Sequence, residues 1–249
     1  EGILINDKGE EILRKRSGYE KNYESGVNTI KNLVDEFDKN TNSKNSVGIG
    51  IPGSSSKENG LIKNANSIWL NGKPFKKDLE MSLDREIKIM NDANCFALSE
   101  AIDGSGANYN TVWGVIIGSG FGGSFVHNKK VVEGVNQVAG DWGHQPLPYP
   151  SKEEWDLNLK CPVDNCGRPL CAEQFISGIG FTKIFNKKYK TNFTTKEIVD
   201  LELNGDERAK KEFDLYEDRF ARLIAVMIGI VDPDVIILGG GMSNIERLY

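Results

Sequence analysis

The sequence predicts an α/β protein of two domains with a cleft between them. Strand-like apolar segments alternate with amphipathic helical segments along the 249 residues, which is typical of layered α/β structures. Two glycine clusters each follow a buried strand, where glycine often marks sharp turns and close approach to ligands. A stretch rich in glycine, asparagine and serine at 103–110 predicts the boundary, with one domain at 1–108 and the other at 109–249.

The hydrophobic pattern supports each element in turn. A turn between two strand-like segments predicts a hairpin at the start of the chain, and helical spacing follows it. The first domain is expected to contain hairpin strands at 2–6 and 10–15, a helix at 23–38, a strand at 46–52, a short helix near 77–83, a strand at 86–90 and a helix at 94–102. The second is expected to contain a strand at 111–118, a returning hairpin strand, a long amphipathic helix at 206–230 and a buried strand at 234–241.

Composition argues against several classes of function. The net charge of −5 and the isoelectric point near 5.3 disfavour a nucleic-acid-binding surface over the whole chain. No run reaches the ~18 consecutive apolar residues of a membrane helix, and no signal peptide is recognisable. We therefore expect a cytoplasmic protein that binds neither nucleic acid nor membrane. Four cysteines are too few for a disulfide scaffold of this length.

The two glycine clusters are candidates for nucleotide binding. Glycine after a strand lets backbone N–H groups approach phosphate oxygens, although each cluster alone also fits a tight turn without a ligand. Neither cluster has the lysine of a Walker A loop or the spacing of a dinucleotide fold. Together they predict a nucleotide site formed by Gly118, Ser119, Gly120, Gly122 and Gly123 and by Gly239, Gly240 and Gly241.

A carboxylate stands at the junction of a predicted strand and a predicted helix, in NDAN at 91–94. Ligands of α/β proteins bind at the carboxyl ends of strands, where Asp92 could accept a proton from an attacking hydroxyl. Aspartate is also a common helix cap, and taken alone the motif fits capping better than catalysis. Phosphoryl transfer uses a carboxylate of this kind, so Asp92 is the candidate catalytic base.

One histidine and three cysteines form a candidate zinc site. His144 ends the segment AGDWGH, and Cys161, Cys166 and Cys171 crowd into eleven residues downstream. A Cys₃His set suits tetrahedral Zn²⁺, and a closed site of this kind is structural. The alternative is a loop of reduced thiols that bind no metal. Cys95 stands alone in an apolar helical stretch and is expected in the core.

These motifs, in this order, resemble the ROK family, whose name stands for repressor, open reading frame and kinase. The resemblance covers the whole chain and rests on NDANCFALSEA (91–101), the glycine loop at 118–123, the segment ending at His144 and the cysteine cluster. It implies an actin-like, hexokinase-like fold of the ribonuclease H-like type, closing over a sugar. The stretch KNANSIWLNGKPFKKDL (63–79) further resembles the bacterial fructokinases and mannokinases of that family.

The resemblance also implies roles for individual residues. Asp92 resembles the family's catalytic base, and His144 would use one ring nitrogen for zinc and the other for the sugar. The implied cofactors are ATP, Mg²⁺ and structural Zn²⁺, and the implied assembly is a homodimer. The residues that match sugar contacts are Gly53, Asn66, Asn91, Asp141, His144 and Glu173.

Three departures from the family pattern affect these expectations. Asp141 stands where the family has the longer glutamate, which bears on the choice of sugar. Asp164 stands where the first cysteine of the family's C-x-C-x4-C pattern is expected, so either Cys161 or Asp164 completes the zinc site. The family's first phosphate loop would precede Glu1 and its last helix would follow Tyr249, so we expect further residues on both sides.

The expected function is ATP-dependent phosphorylation of a hexose at its 6-hydroxyl, with fructose as the preferred sugar and mannose as the second. N-acetylglucosamine and glucose are alternative sugars within the same family. A sugar-responsive repressor of the family is the rival from another class, because fold resemblance does not separate the two. Asp92 and both glycine clusters favour the kinase. A zinc-dependent hydrolase is disfavoured because the candidate ligands form a closed site.

Overall fold

The computed structural model of the protein describes residues 1–157 and 166–249. The chain folds into two compact units, Glu1–Asp92 and Ala93–Tyr249. This division falls before the helix predicted at 94–102, and the domain boundary predicted after residue 108 stays a prediction. Among the helices of the described residues, none is long and apolar enough to cross a lipid bilayer.

The first unit combines short antiparallel hairpins with a parallel strand pair. Its elements are β1 (Gly2–Ile5), β2 (Glu11–Lys15), α1 (Tyr23–Thr41), β3 (Val47–Ile51), β4 (Ser54–Ser55), β5 (Ile62–Lys63), α2 (Phe75–Leu83) and β6 (Ile87–Asn91). β1 pairs antiparallel with β2, β4 pairs antiparallel with β5, and β3 lies parallel to β6. The elements predicted here are confirmed, and the β4–β5 hairpin was not predicted.

Helix α1 shows how local chemistry sets the ends of an element. The side chain of Asn22 accepts a hydrogen bond from a backbone N–H of the first turn and caps the helix. Asn42 adopts the left-handed conformation, with φ 51°, and ends it. Between these caps, Leu33, Val34 and Phe37 lie on the buried face, at the spacing that a helix requires.

One apolar cluster holds the first unit together. Phe75, Leu79 and Leu83 of α2 pack with Ile51 of β3 and Ile87 of β6. All five side chains are almost completely buried. β3 and β6 end side by side, with Ile51 opposite Asn91, so the residues that follow the two strands leave the same edge of the pair.

The second unit is a mixed sheet covered by helices. Its elements are α3 (Asp92–Ile102), which begins at the last residue of the first unit, then β7 (Thr111–Ile117), β8 (Phe121–His127), β9 (Lys130–Val131), α4 (Lys152–Asp156), α5 (Glu173–Ile176), α6 (Gly178–Tyr189), α7 (Thr195–Leu203), α8 (Glu207–Val231) and β10 (Val235–Gly239). The strand order is β10-β7-β8-β9, in which β10 is parallel to β7 and the other neighbours are antiparallel.

Strand β7 is buried on both faces because its side chains alternate between two layers. Trp113, Val115 and Ile117 pack with the aromatic side chains of α5, α6 and α8. Val112 packs on the opposite side with Ala97 of α3. Burial on both faces explains why this strand is a continuous apolar run in the sequence.

Helices α4 to α7 were not predicted from the sequence. α5 has only four residues, and α6 begins with Gly178 and Gly180, whose low helix propensity hides it. Side-chain caps mark the starts of α6 and α7. Ser177 accepts a hydrogen bond from the Gly180 N–H, and Thr194 forms a capping box with Glu197 at the start of α7. These caps were the signal available in the sequence.

Candidate active site

Two glycine turns meet at the carboxyl ends of adjacent strands in the second unit. β7 and β10 are parallel neighbours, and Gly239 at the end of β10 pairs with Ile116 near the end of β7. Gly240 follows with φ +88°, and a Cβ atom there would lie 2.5 Å from the carbonyl oxygen of Ile117. Only glycine meets both constraints. The two clusters that the sequence predicted as one nucleotide site are therefore brought together at one edge of the sheet.

The first of these turns connects β7 to β8 in a tight reversal. The Gly118 N–H donates to the carbonyl oxygen of Gly120 at 2.9 Å, and β8 returns antiparallel from Phe121. Ser119 is exposed in the first turn, as is Gly240 in the second. Exposed backbone at such turns can bind an anion such as a phosphate group.

The remaining glycines of the predicted nucleotide site have different surroundings. Gly122 and Gly123 lie on β8 and pair with β7. A Cβ atom at Gly123 would lie 3.0 Å from Nε1 of Trp142, so the glycine leaves room for the buried indole. Gly241 is exposed and opens a short 3₁₀ turn. Packing thus accounts for Gly123 before any ligand is considered.

Asp92 is the first residue of α3 and directly follows the last residue of β6. The residue is exposed. The N-terminus of a helix favours an ionised carboxylate, because the backbone N–H groups of the first turn carry partial positive charge. An exposed carboxylate at the carboxyl end of a parallel strand also stands where ligands of α/β proteins bind.

Other predicted sugar contacts surround the ends of β3 and β6. The Asn91 side chain donates through Nδ2 to the carbonyl oxygen of Gly53 at 3.0 Å. Gly53 has φ +78°, and a Cβ atom there would lie 2.7 Å from the backbone nitrogen of Ala65, so glycine is required. Asn66 follows Ala65 and is exposed. The fold therefore brings Gly53, Asn66 and Asn91 together beside the position where Asp92 begins α3.

Sequence reasoning missed a contact made by the last residue of the NDAN motif. Oδ1 of Asn94 accepts a hydrogen bond of 2.6 Å from the hydroxyl of Ser124, a completely buried residue on β8. This bond ties the first turn of α3 to the sheet. The signal of this contact in the sequence was Asn94 alone, because its partner Ser124 lies 30 residues away.

The candidate metal ligands within the described residues come together in the second unit. The donor atoms of His144, Cys166 and Cys171 all lie within 4.8 Å of one another, which is close enough for one ion to bind all three. Nδ1 of His144 lies 3.4 Å from Sγ of Cys171, so Nδ1 is the ring nitrogen that faces the cysteines. Two thiols and an imidazole are ligands that Zn²⁺ prefers. Cys161 and Asp164, the two predicted candidates for the fourth ligand, lie outside the described residues.

Glu173, predicted as a sugar contact, begins α5 and is 5% exposed. Its Oε2 accepts a hydrogen bond of 3.0 Å from the N–H of Phe121, immediately after the first glycine turn. Its own N–H donates to the carbonyl oxygen of Gly143 at 2.9 Å, next to His144. Glu173 therefore links the glycine turn to the loop that carries the candidate metal ligand.

Asp141, the remaining predicted sugar contact, is exposed and lines a cavity of about 490 Å³. The other lining residues are mostly apolar: the cavity is bordered by Trp113, Val138, Gly140, Trp142, Gln145, Pro146, Leu147, Pro148, Leu223, Val226, Met227 and Ile230. Neither His144 nor Glu173 lines it. The cavity beside Asp141 is therefore not lined by the two residues with which Asp141 was expected to act.

A buried ion-pair network fixes α4 on α8. Oε1 of Glu154 accepts hydrogen bonds from Arg219 at 2.8 Å and from Arg222 at 2.7 Å. Burial raises the pKa of Glu154, but the bonds from Arg219, the Ser151 N–H and Arg222 outweigh burial and hold the pKa below its usual value. The carboxylate therefore stays ionised and holds the helix that precedes the cysteine-rich segment.

Comparison with known sequences gives one consistent result. The sequence model of the ROK family matches residues 1–249. The N-acetyl-D-glucosamine kinase of Escherichia fergusonii is 39% identical to this chain over 226 residues. That match covers 91% of this chain and 75% of the relative.

Two solved structures illustrate the likeness of the fold. A ROK family glucokinase from Streptomyces griseus, in complex with glucose and AMPPNP, has a TM-score of 0.79 at 22% identity, covering 99% of this chain and 81% of that chain. A ROK family transcriptional regulator, a homologue of the MLC protein of E. coli, has a TM-score of 0.81 at 18% identity. That match covers 99% of this chain and 63% of that chain. At these identities the likeness shows the fold alone. It confirms the predicted two-domain, actin-like α/β fold.

Proposed function

The chain belongs to the ROK family, and from this premise we propose that it transfers the γ-phosphoryl group of ATP to the 6-hydroxyl of N-acetylglucosamine. The curated relative at 39% identity is a sugar kinase, and it is named for this substrate. The observation that carries the chemistry is the position of Asp92, an exposed carboxylate between the end of β6 and the start of α3.

In the proposed reaction, Asp92 positions the 6-hydroxyl and accepts its proton. The hydroxyl oxygen forms a bond to the γ-phosphorus, the bond from that phosphorus to the bridging oxygen breaks, and ADP leaves. Transfer of this kind depends mainly on positioning and on stabilisation of charge, so a single base suffices. Asp92 lies at the N-terminus of α3, where the backbone N–H groups carry partial positive charge that favours an anionic side chain.

The two glycine turns are the proposed nucleotide site. Gly118, Ser119 and Gly120 would contact the phosphates of ATP, and Gly239 to Gly241 would lie under the adenosine. Support comes from their convergence at one edge of the sheet, with Gly240 packed against Ile117. Bound Mg²⁺ would neutralise charge on the phosphates during the transfer.

Zinc in this proposal is structural. His144, Cys166 and Cys171 would hold Zn²⁺, with Cys161 or Asp164 as the fourth ligand. Because Nδ1 of His144 faces the thiols, Nε2 is the nitrogen assigned to the sugar. The ion would then hold the His144 loop against the segment that begins at Glu173, which is also assigned to the sugar.

Gly53, Asn66 and Asn91 complete the proposed set of sugar contacts. Their arrangement at the ends of β3 and β6 supports this assignment. Asp141 is assigned a contact at the edge of the sugar site, or one made through a water molecule, because it lines a largely apolar cavity.

The proposed assembly is a cytoplasmic homodimer. Light scattering of the purified protein would measure the mass of the assembly.

N-acetylglucosamine replaces fructose as the proposed substrate. The expectation of fructose rested on the stretch at 63–79. The relative with 39% identity over 91% of this chain is instead named for N-acetylglucosamine. The test is ADP release by the full-length protein with N-acetylglucosamine, glucose, mannose or fructose, and ³¹P NMR of the product. We expect the highest kcat/KM for N-acetylglucosamine and a 6-phosphate product. A preference for fructose would reject the proposed sugar and identify a fructokinase.

A sugar-responsive regulator is the second candidate, favoured by the fold likeness to a ROK transcriptional regulator at TM-score 0.81. At 18% identity that likeness does not identify a function. The same ADP-release assay separates the two functions. Turnover with any hexose supports the kinase, whereas hexose binding without turnover in the full-length protein supports the regulator.

A further inference from the structure

The segment from Glu173 to Gly178 holds the first glycine turn at both of its ends. The Gly178 N–H donates to the carbonyl oxygen of Gly118 at 2.8 Å, where the turn begins. The carboxylate of Glu173 accepts from the Phe121 N–H at 3.0 Å, where the turn ends. Met242 of the second turn also packs beside Gly178, since a Cβ atom there would lie 3.5 Å from its sulfur. One short segment thus contacts both turns.

Ser177 joins the two anchor points of this segment. It ends α5 and caps α6, and it is completely buried. Its hydroxyl donates to the carbonyl oxygen of Glu173 at 2.7 Å and accepts from the Gly180 N–H at 3.0 Å. This pair of bonds sets the angle between α5, which carries Glu173, and α6, which begins at Gly178. This hydroxyl is therefore one of the groups that hold the two anchors of the glycine turn at their spacing.

The carboxylate of Glu173 can serve two partners at once. An ionised carboxylate has about four acceptor positions on its two oxygens, so it can accept several hydrogen bonds at the same time. Its backbone N–H is committed to Gly143, beside His144. Glu173 is therefore bonded both to the end of the glycine turn and to the loop that carries His144.

We propose that Ser177 is a positioning residue that couples sugar binding at Glu173 to nucleotide binding at the first glycine turn. The inference rests on the proposed function, because it needs a sugar at the carboxylate and phosphates at the turn. The first ligand orders the hydrogen bonds that connect Glu173, Ser177 and Gly178 with the glycine turn. Binding of the second ligand then costs less conformational entropy. Each ligand therefore raises the affinity for the other by the same factor.

The experiment measures this factor directly by calorimetry with the full-length protein. The Kd of N-acetylglucosamine is determined with and without a non-hydrolysable ATP analogue and Mg²⁺. We expect the analogue to tighten sugar binding by roughly fivefold or more in the wild type, within the usual range for coupled sites. Ser177→Ala should bring the factor close to one. Ser177→Thr keeps the hydroxyl and should retain most of the coupling.

The matched control is Asp206→Ala. Asp206 caps α8 through its side chain, so this substitution removes a helix cap in the same unit. It leaves the hydrogen bonds of Glu173, Ser177 and Gly178 in place. Thermal unfolding establishes that each variant is folded. Coupling that survives in Ser177→Ala, or that is lost equally in Asp206→Ala, would overturn the inference.

A second measurement separates this inference from the proposed function. Hydrogen exchange followed by mass spectrometry reports on the amides at 118–123 without any ligand. Ser177→Ala should speed their exchange, while Ser177→Thr and Asp206→Ala should not. Faster exchange in a protein that fails to bind N-acetylglucosamine would support the link and reject the choice of sugar. Unchanged exchange would reject the link itself.

Discussion

Asn94 of α3 and Ser124 of β8 are joined by a hydrogen bond of 2.6 Å that holds the first turn of the helix on the sheet. Asn94 lies two residues after Asp92, the proposed base, in the first turn of α3. Because Ser124 is completely buried, its hydroxyl loses a partner if Asn94 is shortened.

Asn94→Ala is therefore expected to destabilise the protein by about 1–3 kcal/mol. Ser124→Ala should be less harmful, and the double variant should cost clearly less than the sum of the two. Urea unfolding of the four proteins in a double-mutant cycle measures this coupling. Additive effects would show that the bond contributes nothing to stability.

Asp92→Asn is expected to lower kcat by orders of magnitude while the Kd of the sugar changes little. The amide keeps the shape of the side chain but cannot accept the hydroxyl proton. Asp103→Asn is the matched control, since Asp103 is exposed just after the last residue of α3. Steady-state kinetics and calorimetry provide the two quantities. Near-normal turnover in Asp92→Asn would remove Asp92 from the proposed role.

The metal proposal predicts about one zinc ion per chain in the purified protein. Cys171→Ser should abolish most of the bound zinc, because Cys171 is one of three clustered donors. Cys95→Ser should leave the zinc content unchanged, since Cys95 lies on α3 outside the cluster. Elemental analysis by mass spectrometry measures both. Equal zinc contents in the two variants would argue against the site.

Removal of the metal with a chelator should lower thermal stability and raise the KM for the sugar more than the KM for ATP. The physical reason is that the metal would hold the His144 loop, which is assigned to the sugar, whereas the first glycine turn is linked to that loop through Glu173 and supplies none of the candidate ligands. Restoration of the thermal stability and of the sugar KM by added Zn²⁺ is the control. Chelation that left both values unchanged would contradict a structural zinc ion.

The ion pair between Asp38 and Arg85 predicts a pH dependence of stability. Hydrogen bonds from Arg85 lower the pKa of Asp38 to about 2 from an ordinary value of 3.8. Since the folded protein holds the lower pKa, the stabilisation is fully present above the ordinary value and is lost as the pH falls toward 2. Both side chains are largely buried, and the shift corresponds to about 2 kcal/mol.

Arg85→Met should therefore reduce the free energy of unfolding at pH 7, and the difference from wild type should shrink between pH 4 and pH 2. Urea unfolding across this range provides the measurement. Arg14→Met is the control, because Arg14 pairs with Glu11 on the exposed surface, where ion pairs contribute little. A difference that stays constant down to pH 2 would contradict the assigned pKa.

Much of this protein could be predicted from local sequence. Helical spacing predicted α1, and the continuous apolar run predicted β7, because these signals act between residues that are close along the chain. The same is true of Asp92 and of the glycine turns, since each directly follows a strand. Helices α4 to α7 are the exception. α5 is very short, and α6 has glycine at two of its first three positions.

Only the tertiary structure decided which of these local features act together. Glu173 bonds to Phe121 across 52 residues, and Asn94 bonds to Ser124 across 30. The family resemblance implied that Asp141 and His144 both contact the sugar, but Asp141 lines a cavity that His144 does not line. Residues at such separations meet only when strands pair and helices pack, and neither periodicity nor spacing records those contacts.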